Sequence, residues 1–133
     1  MKKVMVLLIT FLMMAVSLVG CGGSDDTVQS CIISNSSYSS QDELESANQE
    51  DTLTANEPIY ASVHYIESPK GMEYTVKWYI EGTEIKSETK ATEKDMQDIV
   101  VYELEAEQAI AGSLKVEVIY KDTILLTKEI IIQ

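Results

Sequence analysis

Hydrophobic and polar residues alternate with a period of two along most of the chain from Ile59 onward. This period places every second side chain on one face and is typical of half-buried β-strands. Between the stretches lie short turn signals such as Ser68-Pro69-Lys70-Gly71 and Glu81-Gly82. The predicted strands are 59–66, 74–80, a short one at 84–86, 98–104, 113–120 and 124–132.

Five or six short strands with frequent turns predict an all-β domain, an antiparallel β-sandwich, with a small barrel as the alternative. One stretch is ambiguous. Thr92-Glu93-Lys94-Asp95 fits a helix N-terminus, and Met96, Val100 and Leu104 have helical spacing. The run Ile99–Tyr102 is β-branched and aromatic, and this favours a strand at 98–104. A helical turn at 106–111 is compatible with it. Residues 87–97 are predicted to be polar and exposed.

The segment before residue 57 has a different composition. Residues 34–56 are rich in Ser, Asn, Gln, Asp and Glu, so they are predicted to form a loop or disordered linker. Cys31-Ile32-Ile33 is a brief β-prone patch that fits an edge strand. We expect residues 28–56 to hold this strand and the linker, and residues 57–133 to hold the sandwich. A first strand would fit the sandwich by covering the edge of the last one.

The N-terminus has the layout of a secretory signal peptide. Lys2 and Lys3 precede an apolar run of about 16 residues, shorter than the ~20 needed to span a bilayer. Leu18-Val19-Gly20-Cys21 resembles the lipobox of bacterial lipoproteins. The resemblance implies that residues 1–20 are removed and that Cys21 carries lipid. Residues 21–27 would then form a lipidated tether. We therefore expect an exported protein, anchored on the extracytoplasmic side of the cell membrane or outer membrane.

The net charge and the cysteine content limit the classes of partner and the disulfide bonds that the chain can have. Residues 21–133 keep 8 lysines against 22 acidic residues, a net charge of −14. Such a chain is repelled by phosphates, so nucleic acid is not an expected partner. Cys21 and Cys31 are the two cysteines. If Cys21 bears lipid, Cys31 has no partner within the chain, and we expect a small buried apolar residue there.

Several motifs resemble the small immunoglobulin-like domains of bacterial lipoproteins and other exported proteins. These are Ile59–Val63, Pro69-Lys70-Gly71, Val76-Lys77-Trp78-Tyr79, Gly112–Tyr120 and Lys128–Ile132. The resemblance implies an immunoglobulin-like sandwich with Trp78 packed across its core. Leu114 and Ile130 stand where aromatic residues are usual, which changes packing detail but not the fold. Function does not follow, because this sandwich hosts many functions.

Candidate chemistry is sparse. His64 is the sole histidine, and Ser62 points the same way along the strand, but the expected state is a solvated or partly packed histidine. We expect no metal site, no cofactor and no enzymatic activity. Tyr60, Lys77 and Tyr79 lie on the outward faces of their strands and form the candidate binding face, because interfaces favour aromatic-polar mixtures.

The predicted function is a non-enzymatic, membrane-anchored envelope lipoprotein. It would display an immunoglobulin-like domain that binds a protein or another envelope component. The alternative is an accessory or inhibitory domain that acts on an exported enzyme or a transporter.

Overall fold

Eight strands build the part of the chain that the structure, a computed structural model, describes, residues 27–133. The predicted signal peptide and Cys21 lie outside the described residues. No helix within residues 27–133 is long and apolar enough to cross a membrane. In chain order the elements are β1 (Val28–Ser34), α1 (Gln41–Ser46), β2 (Thr52–Leu53), β3 (Ile59–Ser68), β4 (Glu73–Ile80), β5 (Thr83–Ala91), β6 (Met96–Leu104), a 3₁₀ turn (Ala106–Gln108), β7 (Gly112–Tyr120) and β8 (Thr123–Ile132).

The strands form two sheets, which confirms the all-β sandwich and not the barrel. The small sheet has the order β1-β3-β6, and the large sheet has the order β2-β8-β7-β4-β5. All strand pairs are antiparallel except β2 with β8. In the immunoglobulin fold strands A, B and E share one sheet and C, F and G the other. The strands β1, β3 and β6 take the first set of places, and β4, β7 and β8 the second.

The core lies between the sheets, where the alternating apolar residues meet. Trp78 on β4 is completely buried, as expected, beside Val116 of β7. Large side chains from both sheets surround it, among them Tyr65, Tyr102, Ile33 and Leu114. The hydroxyls of Tyr65 and Tyr102 in this core lie 2.9 Å apart and pair with each other, whereas Trp78 Nε1 has no hydrogen-bond partner among residues 27–133. Burial raises the pKa of both hydroxyls far above the ordinary value, so both stay neutral.

The first strand belongs to the sandwich, but its position differs from the expectation. We expected β1 to cover the edge of the last strand. Instead β1 pairs with β3, from Val28 opposite Tyr65 to Ser34 opposite Tyr60. The neighbour of β8 on its outer side is β2, which pairs only with Ile131 and Ile132.

The polar segment 34–56 is not a featureless linker. It contains α1, whose N-cap Ser40 accepts a hydrogen bond from the Glu43 backbone N–H, and it contains β2. One other expectation also changes, because the strand predicted at 84–86 runs on to Ala91. Residues 96–104 form strand β6, which confirms the strand expected at 98–104 and rules out the helical alternative. A 3₁₀ turn at 106–108 lies within the stretch where the sequence allows a helical turn, 106–111.

Candidate interaction face

The outer face of the small sheet is covered by the chain itself. The helix α1 packs against β1 and β3, and its one large apolar residue, Leu44, is buried. The Tyr38 backbone N–H donates to Ser62 Oγ over 3.0 Å, which holds the segment before α1 against β3. Ser62 and His64 point outward from the sandwich core, yet both are buried under this cover. Around Ser62 and His64 this face is therefore closed to a partner, whereas Gln97 and Glu103 on β6 stay exposed.

The free edge of β1 is closed by side chains. Gln49 Oε1 accepts from the Ile33 N–H over 2.9 Å, and Gln49 Nε2 donates to the Ile33 C=O over 2.8 Å. The side-chain amide thus makes the two bonds that a neighbouring strand would make. Lys128 Nζ, which projects from β8, donates to the Cys31 C=O and to Gln49 Oε1. The half-buried Gln49 therefore joins the edges of both sheets.

His64 is more buried than expected, with only 4 % of its surface exposed. Its Nε2 lies 3.2 Å from Gln97 Oε1, and its Nδ1 has no hydrogen-bond partner among residues 27–133. It lines a cavity of about 290 Å³ beside the start of α1, with Lys94 and Gln97. The nearby Ser62 hydroxyl is bonded to the Tyr38 N–H. The structure thus pairs His64 with Gln97, not with Ser62.

The outer face of the large sheet carries a connected cluster of polar and aromatic side chains. The Tyr79 hydroxyl donates to Glu117 Oε1 over 2.7 Å. Lys115 Nζ lies 4.4 Å from the centre of the Tyr79 ring and 4.0 Å from Glu117 Oε2. Lys77 Nζ lies 3.5 Å from Glu84 Oε1. We call Lys77, Tyr79, Lys115 and Glu117 the large-sheet cluster.

The charges in this cluster determine the protonation state of Tyr79. The hydrogen bond to the Glu117 carboxylate raises the pKa of Tyr79 to about 12, because the ionised phenol would face a like charge. Tyr79 is therefore a neutral hydrogen-bond donor at ordinary pH. The ammonium of Lys115 over its ring and the carboxylate of Glu117 at its hydroxyl hold the ring in one place. A positioned tyrosine loses little conformational entropy when it binds a partner.

The structure brings together two of the three residues of the predicted binding face. Lys77 and Tyr79 lie on β4, opposite Glu117 and Lys115 of β7. Tyr60 lies on β3 of the small sheet, so it sits on the opposite side of the sandwich. The sequence analysis missed Lys115 and Glu117. Their signal was available, since both alternate with the buried Leu114, Val116 and Val118.

Cys31 is a free, buried thiol on β1, as expected from the sequence. Burial raises the pKa of its thiol to about 12, although the charge of Lys128 opposes that shift. At ordinary pH the thiol is protonated, and a protonated thiol is a poor nucleophile. Cys31 therefore packs as a small apolar residue.

Comparison with known proteins assigns no family. No family model matches the chain, and no curated protein matches it. Among solved structures, an immunoglobulin-like protein from Pseudomonas aeruginosa is 13% identical with a TM-score of 0.49, covering 77% of this chain and 91% of that one. The CARDB domain of a Pyrococcus furiosus protein is 13% identical with a TM-score of 0.40, covering 83% and 92%.

A third structure, an alkylpurine DNA glycosylase from Pseudomonas fluorescens, is 12% identical with a TM-score of 0.46. The match covers 80% of this chain but only 30% of the glycosylase. At these identities and scores the likenesses carry no argument about activity. The description of the fold rests on the strand order of this chain.

Proposed function

We propose that the chain is a non-enzymatic interaction domain, held at the extracytoplasmic side of a membrane by lipid on Cys21. In this proposal the large-sheet cluster binds a protein of the envelope. The two parts of the proposal stand on different observations. Anchoring rests on the lipobox-like Leu18–Cys21, and binding rests on the large sheet.

The observation that carries the binding part is the difference between the two sheets. The small sheet packs part of its outer face against α1, whereas the large sheet leaves Lys77, Tyr79 and Lys115 partly exposed, with Glu117 buried between them. The side chains of Lys77 and Lys115 are 36% and 37% exposed. Tyrosine is among the residues that contribute most to binding energy at interfaces, and rim charges steer the encounter. The cluster offers both.

The position of β1 defines an orientation. Val28 lies opposite Tyr65, at the end of the sandwich that carries the turns 69–72, 92–95 and 121–122. The seven residue steps from Cys21 to Val28 span at most about 25 Å. A lipid on Cys21 would keep this end close to the membrane. The strands would then stand away from the membrane surface, with the large-sheet cluster on the side of the domain.

Lipidation is tested by Cys21→Ala in the full chain. We expect the variant to lose metabolic labelling by a fatty-acid analogue and to leave the detergent phase in phase partitioning. Cys31→Ala is the matched control, because it removes the other cysteine and should keep the label. Unchanged labelling of the Cys21 variant would overturn the anchoring part and leave the binding part standing.

Binding is tested by crosslinking in native membranes. A partner of the large-sheet cluster should be captured by the wild type and lost with Lys77→Ser/Tyr79→Ser. Tyr60→Ser removes a half-buried tyrosine from the opposite sheet and should keep the partner. Loss with Tyr60→Ser, or capture that none of these changes affects, would contradict the assignment of the face.

A further inference from the structure

The outer edge of β6 is occupied by charged side chains instead of another strand. Lys90 Nζ donates to the Val101 C=O over 2.6 Å, and Lys86 Nζ donates to the Glu103 C=O over 2.5 Å. The Glu103 N–H donates to Glu88 Oε1 over 3.3 Å. In a strand, alternate residues present N–H and C=O to the same side. Val101 and Glu103 therefore turn their backbone groups away from β3 and towards β5.

The three charged residues point inward from β5, on the side that normally carries core residues. Lys86, Glu88 and Lys90 stand opposite Trp78, Val76 and Tyr74, respectively, in the register with β4. Those three partners are buried in the core. Because β5 is the outermost strand of the large sheet, its inward side overhangs the β6 edge of the small sheet. Lysine and glutamate reach that edge, whereas apolar residues could not bond to it.

A groove of about 800 Å³ lies beside the first half of β6 and is lined by Lys90, Ala91, Ile99 and Val101, among others. The sequence of β6 is also prone to pairing. Ile99-Val100-Val101-Tyr102 is an uncharged run of β-branched and aromatic residues, the composition that favours edge-to-edge association.

The partner that fits an open β6 edge is β6 of a second copy. Two copies related by a two-fold axis can pair antiparallel with Val101 at the centre, so that Ile99 of each faces Glu103 of the other. Such a pair satisfies the backbone groups of Val101 and Glu103, which are now bonded to side chains. The edge is thus self-complementary in its backbone.

We infer that Lys86, Glu88 and Lys90 form a charged ladder that keeps the β6 edge from pairing with a second copy of the chain. Inward-pointing charges on outer strands are a known means of blocking such pairing. The inference is independent of the proposed function, because Lys86, Glu88 and Lys90 point inward from the large sheet, whereas the large-sheet cluster lies on the outer face of that sheet. It predicts that the chain does not associate through β6 while the ladder is intact.

The test uses the full chain in a non-denaturing detergent, with mass measured by sedimentation over a range of concentrations. Lys86→Met/Lys90→Met keeps the apolar stems and removes the ammonium donors. We expect its protein mass to rise to at least twice that of the wild type as concentration increases. Lys86→Arg/Lys90→Arg retains the donors and should not associate in this way. Lys94→Met/Lys121→Met changes two exposed lysines in turns and should behave as the wild type.

A second variant separates edge pairing from misfolding. Val101→Pro removes the N–H that faces the groove, and proline is tolerated on the free side of an outer strand. Added to Lys86→Met/Lys90→Met, it should return the mass to that of the wild type. A methionine variant that keeps the wild-type mass would overturn the inference. Association that persists after Val101→Pro is added would also overturn the inference, because it would then come from misfolding and not from pairing at β6.

Discussion

The side chain of Gln49 offers a sharp test of how the β1 edge is held. Gln49→Ala removes the bond from the Ile33 N–H at 2.9 Å and the bond to the Ile33 C=O at 2.8 Å. It also removes a partner of Lys128 at 3.2 Å. The two amide bonds are half-buried, and a typical intramolecular hydrogen bond contributes about 0.5–1.5 kcal/mol net. The expected loss is therefore about 1–3 kcal/mol of unfolding free energy.

In a domain of this size, 1 kcal/mol shifts Tm by roughly 4–8 °C. Thermal unfolding of the full chain should show a Tm lower by about 4–24 °C for Gln49→Ala. The matched control is Gln41→Ala. Gln41 bonds to Glu45 over 2.9 Å on the exposed side of α1, and such exposed changes stay within about 0.5 kcal/mol. Hydrogen exchange at the Ile33 amide should be faster only in the Gln49 variant. Equal melting and equal exchange in the two variants would refute the reasoning.

Three further changes have defined outcomes. Trp78→Ala should cost about 3–5 kcal/mol in denaturant unfolding, and wild-type Trp78 fluorescence should be blue-shifted and poorly quenched by acrylamide; free quenching would place the indole at the surface. Glu81→Asn should raise unfolding free energy by about 0.5–1 kcal/mol, because Glu81 (φ 50) and Gly82 (φ 81) form a turn that favours Asn-Gly; a lower denaturation midpoint would contradict this. Burial raises the pKa of the Cys31 thiol from 9.0 to about 12. Between these two pH values the thiol stays protonated in the folded chain but ionises in the unfolded chain. Stability should therefore fall as pH rises from 9 towards 12, by up to about 1.4 kcal/mol per pH unit, and Cys31→Ala should show a shallower fall in urea titrations; parallel curves would argue against it.

The sequence predicted the strands that have one face in the core and one in solvent. In β4 the buried residues Tyr74, Val76 and Trp78 alternate with half-buried ones, so the hydrophobic period is clear. In β7 the alternating Leu114, Val116 and Val118 are likewise buried, although Glu117 and Ile119 are buried too. The second half of β5 was missed because its inward side carries Lys86, Glu88 and Lys90. Alternation of a charged residue with Ser or Thr has no hydrophobic period. Lys86, Glu88 and Lys90 can point inward because β5 extends beyond the small sheet. This arrangement arises only when the two sheets pack together.

The segment before β3 was misjudged for a related reason. Composition predicts disorder when few apolar residues can be buried. Here α1 buries only Leu44, and much of the remaining attachment comes from hydrogen bonds of Gln49, Asn35 and Tyr38 to backbone or side-chain partners on neighbouring elements. Asn35, for example, bonds to the Pro58 and Thr54 carbonyls. Such bonds depend on which residues come into contact in the folded chain, and composition does not contain that information.

The candidate face shows the same limit. Alternation correctly places Tyr60, Lys77 and Tyr79 on outward faces, but it does not say which sheet each strand joins. The turn between β3 and β4 carries the chain from one sheet to the other. Residues that look like neighbours in sequence therefore lie on opposite sides. Cross-strand partners such as Lys115 become visible only when the register of β4 and β7 is known.

The described strands begin and end at opposite ends of the sandwich, and this has a mechanical consequence. Val28 lies at the end that carries the 69–72 turn, while Ile132 lies at the other end, opposite Gly112. Tension applied between these two points runs parallel to β1 and β8. It loads the hydrogen bonds of each strand pair together, in shear, instead of opening them one at a time. A chain anchored at one end and pulled by a partner at the other would resist load along its strongest direction, and its lifetime would be set by the rate of forced unfolding.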